Sequence, residues 1–130
     1  MELEGERTAT PSPGLMERRI RLRRSKDVER VRKEGQAWHH PLLVLLAAPN
    51  AEGRTRIGVL AGRRVGKAVA RNRARRLLRE AARRLYPHLA PGWDLLLIAR
   101  PPIVEVKEPQ VEEALGQLAR EAGLLVGKET

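Results

Sequence analysis

The sequence predicts one α+β domain in which helices pack against a small β-sheet. Apolar runs of strand length occur at residues 42–48, 55–61 and 93–99, and proline, glycine or asparagine residues flank them. Two longer segments, 68–86 and 110–125, carry apolar residues at helical spacing. The chain has 130 residues, which is the size of a single domain with one core.

The N-terminal end differs in composition from the rest of the chain. Residues 1–16 contain the stretch Thr-Ala-Thr-Pro-Ser-Pro-Gly and offer few side chains to bury, so a flexible tail is expected there. The folded domain is expected to cover residues 17–126, and residues 127–130 are expected to form a second short tail.

The first helix has two possible starts. One helix would run from residue 18 to 34, and a shorter one would run from 26 to 33 with Ser25 as its N-cap. We favour the shorter helix, which leaves residues 18–24 as a basic lead-in. In both versions Gly35 marks the end of the helix.

The strands are assigned from apolar runs and turn residues. Residues 42–48 form a continuous apolar run typical of a strand that is buried on both faces. The sequence Asn-Ala-Glu-Gly at 50–53 then predicts a turn, so the runs 42–48 and 55–61 are expected to pair as a hairpin. A third strand is expected at 93–99, between Pro-Gly and Pro-Pro pairs.

The central helix, 68–86, divides into an apolar stripe and a basic arc. At 100° per residue the stripe is about 100° wide, which suits one buried face. It contains Ala70, Ala74, Leu77, Leu78, Ala81 and Leu85. The opposite arc contains Arg71, Asn72, Arg75, Arg76, Arg79 and Arg83, with Arg73 and Arg84 on one flank. A last helix, 110–125, is opened by Pro109.

The charge of the chain indicates a polyanionic partner. The formal net charge is +10, and two stretches, 18–33 and 54–84, carry the whole positive excess. Cysteine is absent, which excludes disulfides and thiolate chemistry. We find no signal peptide, and no apolar run is long enough to span a bilayer, so a cytoplasmic protein that does not contact membranes is expected.

The basic arc is unusual for a solvated helix face because Glu80 is its only acid. At most Glu80 pairs with Arg76 or Arg84, while the remaining arginines repel one another at i,i+4. Arginine outnumbers lysine by 21 to 5, and the guanidinium fork suits bidentate phosphate contacts. Because no helix-turn-helix, heptad or zinc spacing is present, we expect structured RNA rather than DNA as the partner.

Residues 56–84 resemble the signature region of the bacterial ribonuclease P protein component. The resemblance rests on the strand 56–61, the basic turn with Gly66 and Lys67, and the Arg71-Asn72-Arg73 triplet followed by Arg75, Arg76 and Arg79. It extends more weakly over residues 18–125. Residues 1–16 lie outside it.

The resemblance implies both a fold and a function. The fold would be an α-β sandwich with a mixed sheet of about four strands and three helices, similar to a ribosomal-protein domain, with a left-handed β-α-β crossover. The function would be that of the protein subunit of an endoribonuclease, which binds the catalytic RNA and precursor tRNA and assists removal of the tRNA 5′ leader. The RNA subunit would carry the catalysis and use Mg²⁺, so the protein would supply no catalytic residue and hold no cofactor of its own. The implied RNA-binding residues are Arg63, Arg64, Lys67, Arg71, Asn72, Arg73, Arg75, Arg76 and Arg79.

A cleft for the 5′ leader is also implied, and here the chain departs from the family pattern. The family carries aromatic residues on the first helix and the facing strand, whereas this chain has no Phe. The matching positions are Val28, Arg32, Leu43 and Leu46, so apolar contact and charge would replace ring stacking.

Other readings of the sequence have weaker support. Residues 62–68 resemble a phosphate loop but lack its glycine spacing and the Ser/Thr after the lysine. His39 and His40 have no third ligand at zinc spacing. A nuclease with its own metal could use Glu105, Glu108, Glu112, Glu113 or Glu121, but exposed glutamates usually face solvent. The remaining alternative is a non-catalytic, ribosome-associated binder of structured RNA, which needs the same charge.

Overall fold

The computed structural model describes residues 18–126, and the expected tails at 1–16 and 127–130 lie outside this range. It contains three helices and a four-stranded mixed sheet, which confirms the α+β class. The strands are β1 (Gln36–His39), β2 (Leu43–Pro49), β3 (Arg56–Leu60) and β4 (Trp93–Ala99). The helices are α1 (Ser25–Glu34), α2 (Ala68–Leu85) and α3 (Glu108–Glu121).

The strand order is β1-β2-β4-β3, so the predicted hairpin between β2 and β3 is wrong. β4 lies between them, antiparallel to β2 and parallel to β3. The reason is burial. Leu95, Leu96 and Leu97 of β4 are buried on alternating faces, so β4 must lie in the middle of the sheet, where both of its faces are covered. The connection between β2 and β3 passes the end of β4, where the Asn50 amide donates to the Gly92 carbonyl at 2.8 Å.

The edge strand β1 was not predicted from the sequence. Its four residues, Gln-Ala-Trp-His, show no apolar alternation, and only Trp38 is partly buried. β1 forms because a tight turn at His40–Leu43 returns the chain against β2, with the His40 amide donating to the Leu43 carbonyl at 2.9 Å. Main-chain pairing from Gln36–Ala47 to His39–Val44 then defines the register.

Helices α2 and α3 pack on one face of the sheet and form the main core. From the sheet this core takes alternate residues, Leu43, Leu45, Ala47, Leu95, Leu97 and Ala99. α2 contributes Ala74, Leu78, Ala81 and Ala82, and α3 contributes Val111, Ala114, Leu115, Leu118 and Ala119. Ala70, Leu77 and Leu85 of the predicted stripe are only partly buried, so the buried face of α2 is turned toward Ala82. This rotation places Arg71, Arg75 and Arg79 at the edge of the surface that α2 packs against the core, where they are partly buried.

Helix α1 covers part of the opposite face. Val31 is fully buried against Ala48, Leu96 and Leu22 of the lead-in, and Val28 packs beside them. Ser25 is the first helical residue and not the cap that we expected. The cap position is Arg24, whose side chain makes no capping hydrogen bond.

A buried carboxylate ties α1 to the sheet. Asp94 has no exposed surface and accepts two hydrogen bonds from Arg56, at 2.9 and 2.8 Å. It also accepts hydrogen bonds from Asn50, at 2.7 Å, and from Arg30 of α1. Burial by itself would raise the pKa of Asp94, but these hydrogen bonds and the charges of Arg56 and Arg30 outweigh it and lower the pKa below its ordinary value.

Candidate nucleic-acid interface

The basic turn before α2 is anchored at one residue and exposed at the others. Residues Arg63–Val65 form a short 3₁₀ turn in which Val65 is buried in the main core. Arg63, Arg64 and Lys67 are exposed. The turn therefore presents three cations next to the N-terminus of α2, on a backbone that the core holds in place.

Gly66 makes the passage from this turn into α2 possible. Its φ is 143° and its ψ is −161°, a region of backbone space that is essentially restricted to glycine. A Cβ added there would lie 2.9 Å from the Cβ of Ala70, closer than real contacts allow. Gly62, at the start of the basic turn, has a φ of −90° and open space around it, so its position does not require glycine.

Five side chains of α2 form what we call the helix face. Arg71, Arg75 and Arg79 follow one another at i,i+4 and are partly buried, whereas Asn72 and Arg76 are exposed. Arg75 donates a hydrogen bond to the side-chain oxygen of Asn72. Among residues 18–126, none of the four arginines forms an ion pair with a carboxylate.

Three other arginines of α2 are bound within the protein. Arg73 donates to the carbonyl oxygens of Val106, at 3.0 Å, and Val104, at 3.4 Å, and so ties α2 to the segment before α3. Arg83 is paired with Glu80. Arg84 lies 3.8 Å from Glu80 and also faces two acids of α3, Glu108 at 3.5 Å and Glu112 at 3.9 Å.

The pKa shifts follow this division. The hydrogen bond from Arg83 to Glu80 raises the pKa of Arg83. Burial lowers the pKa of Arg79, and the positive charges of Arg21 and Arg75 lower it further. The arginines of α2 thus differ: Arg83 and Arg84 at its C-terminus have carboxylate partners, whereas the charges that shift the pKa of Arg79 are those of Arg21 and Arg75.

An exposed apolar residue within the basic region was missed by the sequence reasoning. Val69, in the first turn of α2, is 82% exposed. Its position on the helical wheel, between Arg73 and Arg76, is the only sequence signal that could have identified it. An apolar side chain among cations suits a partner that presents both phosphates and flat apolar surfaces, as unpaired nucleotides do.

The expected leader-cleft residues do not all share one face of the sheet. Val28 and Leu46 are partly buried on the α1 side, and Arg32 is exposed on α1. Leu43 has no exposed surface and belongs to the main core on the other face, so its placement in the cleft is wrong. Side chains alternate along a strand, and the neighbouring Val44 is the residue of β2 that shares the face of Leu46.

The histidines of the alternative readings lie on β1 and in the turn after it, whereas Glu108 and Glu112 lie close together on α3. His40 accepts a hydrogen bond from the Leu42 amide at its Nδ1, and His39 is exposed on β1. Burial and repulsion by Glu112 raise the pKa of Glu108, which faces Arg84. Between residues 18 and 126 there is no group of three His, Cys, Asp or Glu side chains that could hold a metal ion. Within the same range no helix is long and apolar enough to cross a membrane.

Together these features define an α+β protein with a basic helix face shaped for a polyanion. Comparison with known proteins specifies it further: the family model described as "Ribonuclease P" matches residues 16–123. The chain therefore belongs to the ribonuclease P protein family, whose members are protein subunits of a ribonucleoprotein endoribonuclease. The RNA subunit of that enzyme carries the catalysis. Membership disfavours the alternative of a ribosome-associated binder.

Individual relatives agree with the family model. The chain is 44% identical over 113 residues to the ribonuclease P protein component of Roseiflexus castenholzii, which covers 86% of this chain and 93% of the relative. Among solved structures, the ribonuclease P protein of Thermotoga maritima superposes with a TM-score of 0.69 at 32% identity, covering 77% of this chain and 96% of that one. The Staphylococcus aureus protein gives a TM-score of 0.74 at 25% identity, covering 82% and 97%.

Proposed function

We propose that the helix face and the basic turn bind the catalytic RNA of ribonuclease P. The observation that carries this proposal is the division of arginines along α2. Arg73, Arg83 and Arg84 are satisfied inside the protein, whereas Arg71, Arg75, Arg76 and Arg79 have no carboxylate partner within residues 18–126. Repulsion among unpaired cations costs free energy that a phosphate backbone would recover.

The residues of this interface either contact phosphates or position those that do. Arg63, Arg64, Lys67, Arg71, Arg75, Arg76 and Arg79 contact phosphates, and Asn72 orients Arg75 through their shared hydrogen bond. Arg73 acts indirectly, because its guanidinium is bound to the carbonyl oxygens of Val104 and Val106 and sets the position of α2.

We further propose that the precursor tRNA leader lies along the sheet face beside α1. The uncovered part of this face is apolar, with Val44, Leu46, Leu60 and Ile98 partly exposed, and Val28 and Arg32 border it on α1. Without aromatic rings, these residues offer shape and dispersion contacts to the nucleotides. Loss of stacking lowers affinity by about 1–3 kcal/mol per base, so we expect weak discrimination among leader sequences.

The protein contributes charge and shape to the reaction rather than a reacting group. Hydrolysis by the RNA subunit uses Mg²⁺, and neutralising RNA phosphates with arginines reduces the concentration of divalent ions that the folded RNA needs. Because the proposed substrate is precursor tRNA, the protein is expected to act in the cytoplasm. Neither DNA nor a membrane is expected as a partner.

Reconstitution tests this function directly. A bacterial ribonuclease P RNA is assayed for cleavage of precursor tRNA at low Mg²⁺, with and without the full chain. We expect the chain to stimulate cleavage, and we expect no cleavage from the chain without the RNA. Tight binding to the RNA without any stimulation at low Mg²⁺ would contradict the proposal, since that result describes a binder only.

A further inference from the structure

A cleft of about 250 Å³ opens where the lead-in, α1, β3 and α2 meet. Its floor is apolar and includes Leu22, Leu60 and Leu96. Three guanidinium groups border it, from Arg21 and Arg23 of the lead-in and from Arg79 of α2. None of the lining residues is acidic.

These arginines differ from those that serve the fold. Arg30 and Arg56 converge on Asp94, and Arg83 pairs with Glu80. The Nε atoms of Arg21 and Arg83 are both buried without a hydrogen-bond partner in the part of the chain that the structure describes, but the Arg83 guanidinium has Glu80 as its partner, whereas Arg21 has no ion pair there. A buried donor without an acceptor costs free energy, and a phosphate oxygen would satisfy it.

The backbone holds the lead-in in this position. The Leu22 amide donates to the Ile57 carbonyl of β3 at 2.9 Å, and Leu22 is buried. A Cβ on Gly58 would lie 2.6 Å from the Leu22 carbonyl oxygen, so the approach of the two segments requires glycine at that position. The location of Arg21 therefore follows from the fold and not from a chance side-chain conformation.

The cleft continues into a larger basic depression of about 590 Å³ that Arg21 and Arg23 also line. It adds Arg24, Lys26 and Arg54 among its cations. Asp27 and Glu52 are its acids, and Asp27 faces Arg56 at 3.7 Å. The helix face and the cleft thus share Arg79, and the cleft and the depression share Arg21 and Arg23, so cations connect all three regions.

We propose that Arg21, Arg23 and Arg79 form a phosphodiester-binding subsite, through which the catalytic RNA that occupies the helix face continues toward the lead-in. This inference rests on the proposed function and adds to it a second contact region outside α2. Free inorganic phosphate shares the chemistry of the subsite, so the experiment must separate the two ligands.

A double-mutant cycle tests whether Arg21 and Arg79 hold the same phosphate. The full chain, R21Q, R79Q and the double variant are titrated against a bacterial ribonuclease P RNA at several salt concentrations. Each single variant is expected to bind about tenfold more weakly, because a charge-assisted hydrogen bond is lost. The double variant should lose far less than the hundredfold product, since both changes empty one subsite. Losses that simply multiply would overturn the shared subsite.

The controls separate the subsite from general charge and from folding. R120Q removes one positive charge from exposed Arg120 on α3, which packs on the other face of the sheet, and should change affinity less than twofold. R23Q alters an exposed side chain and should weaken binding while leaving the urea midpoint unchanged. Equal RNA binding by wild type, R21Q and R23Q would overturn the proposal.

Two further outcomes have distinct meanings. If inorganic phosphate raises the melting temperature of wild type but not of R21Q, while both bind RNA equally, the subsite takes free phosphate and its assignment to RNA is wrong. If wild type fails to stimulate cleavage in reconstitution, the proposed function itself fails. Stimulation that is lost on changing Arg71 but kept on changing Arg21 overturns only the subsite.

Discussion

At the scale of single residues, Asp94 is the buried acid that holds α1, β3 and the loop after β2 together. Its carboxylate is the common acceptor for Arg30 of α1, Arg56 of β3 and Asn50 of the loop after β2. Arg56 also faces Asp27 of α1. One buried carboxylate thus fixes α1 and β3 relative to each other, and with them the basic depression beside the lead-in.

The D94N variant should be strongly destabilised. Removing the charge leaves Arg56 and Arg30 without their buried partner, and loss of one member of a buried ion pair costs about 3 kcal/mol or more in the free energy of unfolding. Urea titration measures this change. As a matched control, D27N alters a more exposed partner at 3.7 Å from Arg56, and its cost should stay within about 1 kcal/mol. Equal costs would contradict the central role of Asp94.

The pH dependence of the free energy of unfolding, compared between wild type and D94N, tests whether the ionised carboxylate of Asp94 is the source of the stabilisation. Because the pKa of Asp94 is lower in the folded chain than its ordinary value of 3.8, the unfolded chain takes up the proton first as pH falls. The contribution of the carboxylate is complete at neutral pH and is lost as pH falls below that value toward the folded-state pKa. The difference between wild type and D94N should therefore shrink in acid, whereas a constant difference would indicate a packing defect.

Residue pattern alone could identify the charged helix face but not the partner of each arginine. The helical wheel placed Arg83 with Arg71 and Arg75, yet Arg83 pairs with Glu80 at i,i−3. Arg84 turns toward acids of α3, which are distant in sequence. Such partners depend on how α2 and α3 pack, and no periodicity within one segment contains that information.

At the scale of elements, the junction between β3 and α2 sets where the basic turn points. Val65 is buried on one side of the junction and Ala74 on the other, and Gly66 lies between them in a conformation with a φ of 143°. The direction of the basic turn relative to the helix face therefore depends on this glycine.

G66A should destabilise the protein and weaken RNA binding together. The backbone region of Gly66 costs other residues about 1–3 kcal/mol, and the new methyl group would contact the Cβ of Ala70. G62A is the matched control, because Gly62 has an ordinary φ and open space around it. Its urea midpoint and RNA affinity should remain near those of wild type. If both variants behave alike, the conformation of Gly66 does not determine the geometry of the turn.

At the scale of the whole molecule, the sequence indicated the elements better than their arrangement. The strand at 93–99 and the start of α2 at Ala68 match the structure, because proline, glycine and periodic apolar residues mark them locally. The order β1-β2-β4-β3 is not encoded locally, since it depends on which strand is covered on both faces. The same limit applies to the cleft, where Arg21 and Arg79 meet although 58 residues separate them along the chain.

The arrangement of cations over the molecule predicts which arginines control the salt dependence of RNA binding. R71A and R75A each remove a cation of the helix face, so each should flatten the slope of log affinity against log salt by about one, because fewer counterions are released from the RNA. R84A removes the same charge from the same helix, but Arg84 faces Glu80, Glu108 and Glu112. Its slope should equal that of wild type. If R84A flattens the slope as much as R71A does, net charge rather than the helix face governs binding, and the interface proposed for α2 is wrong.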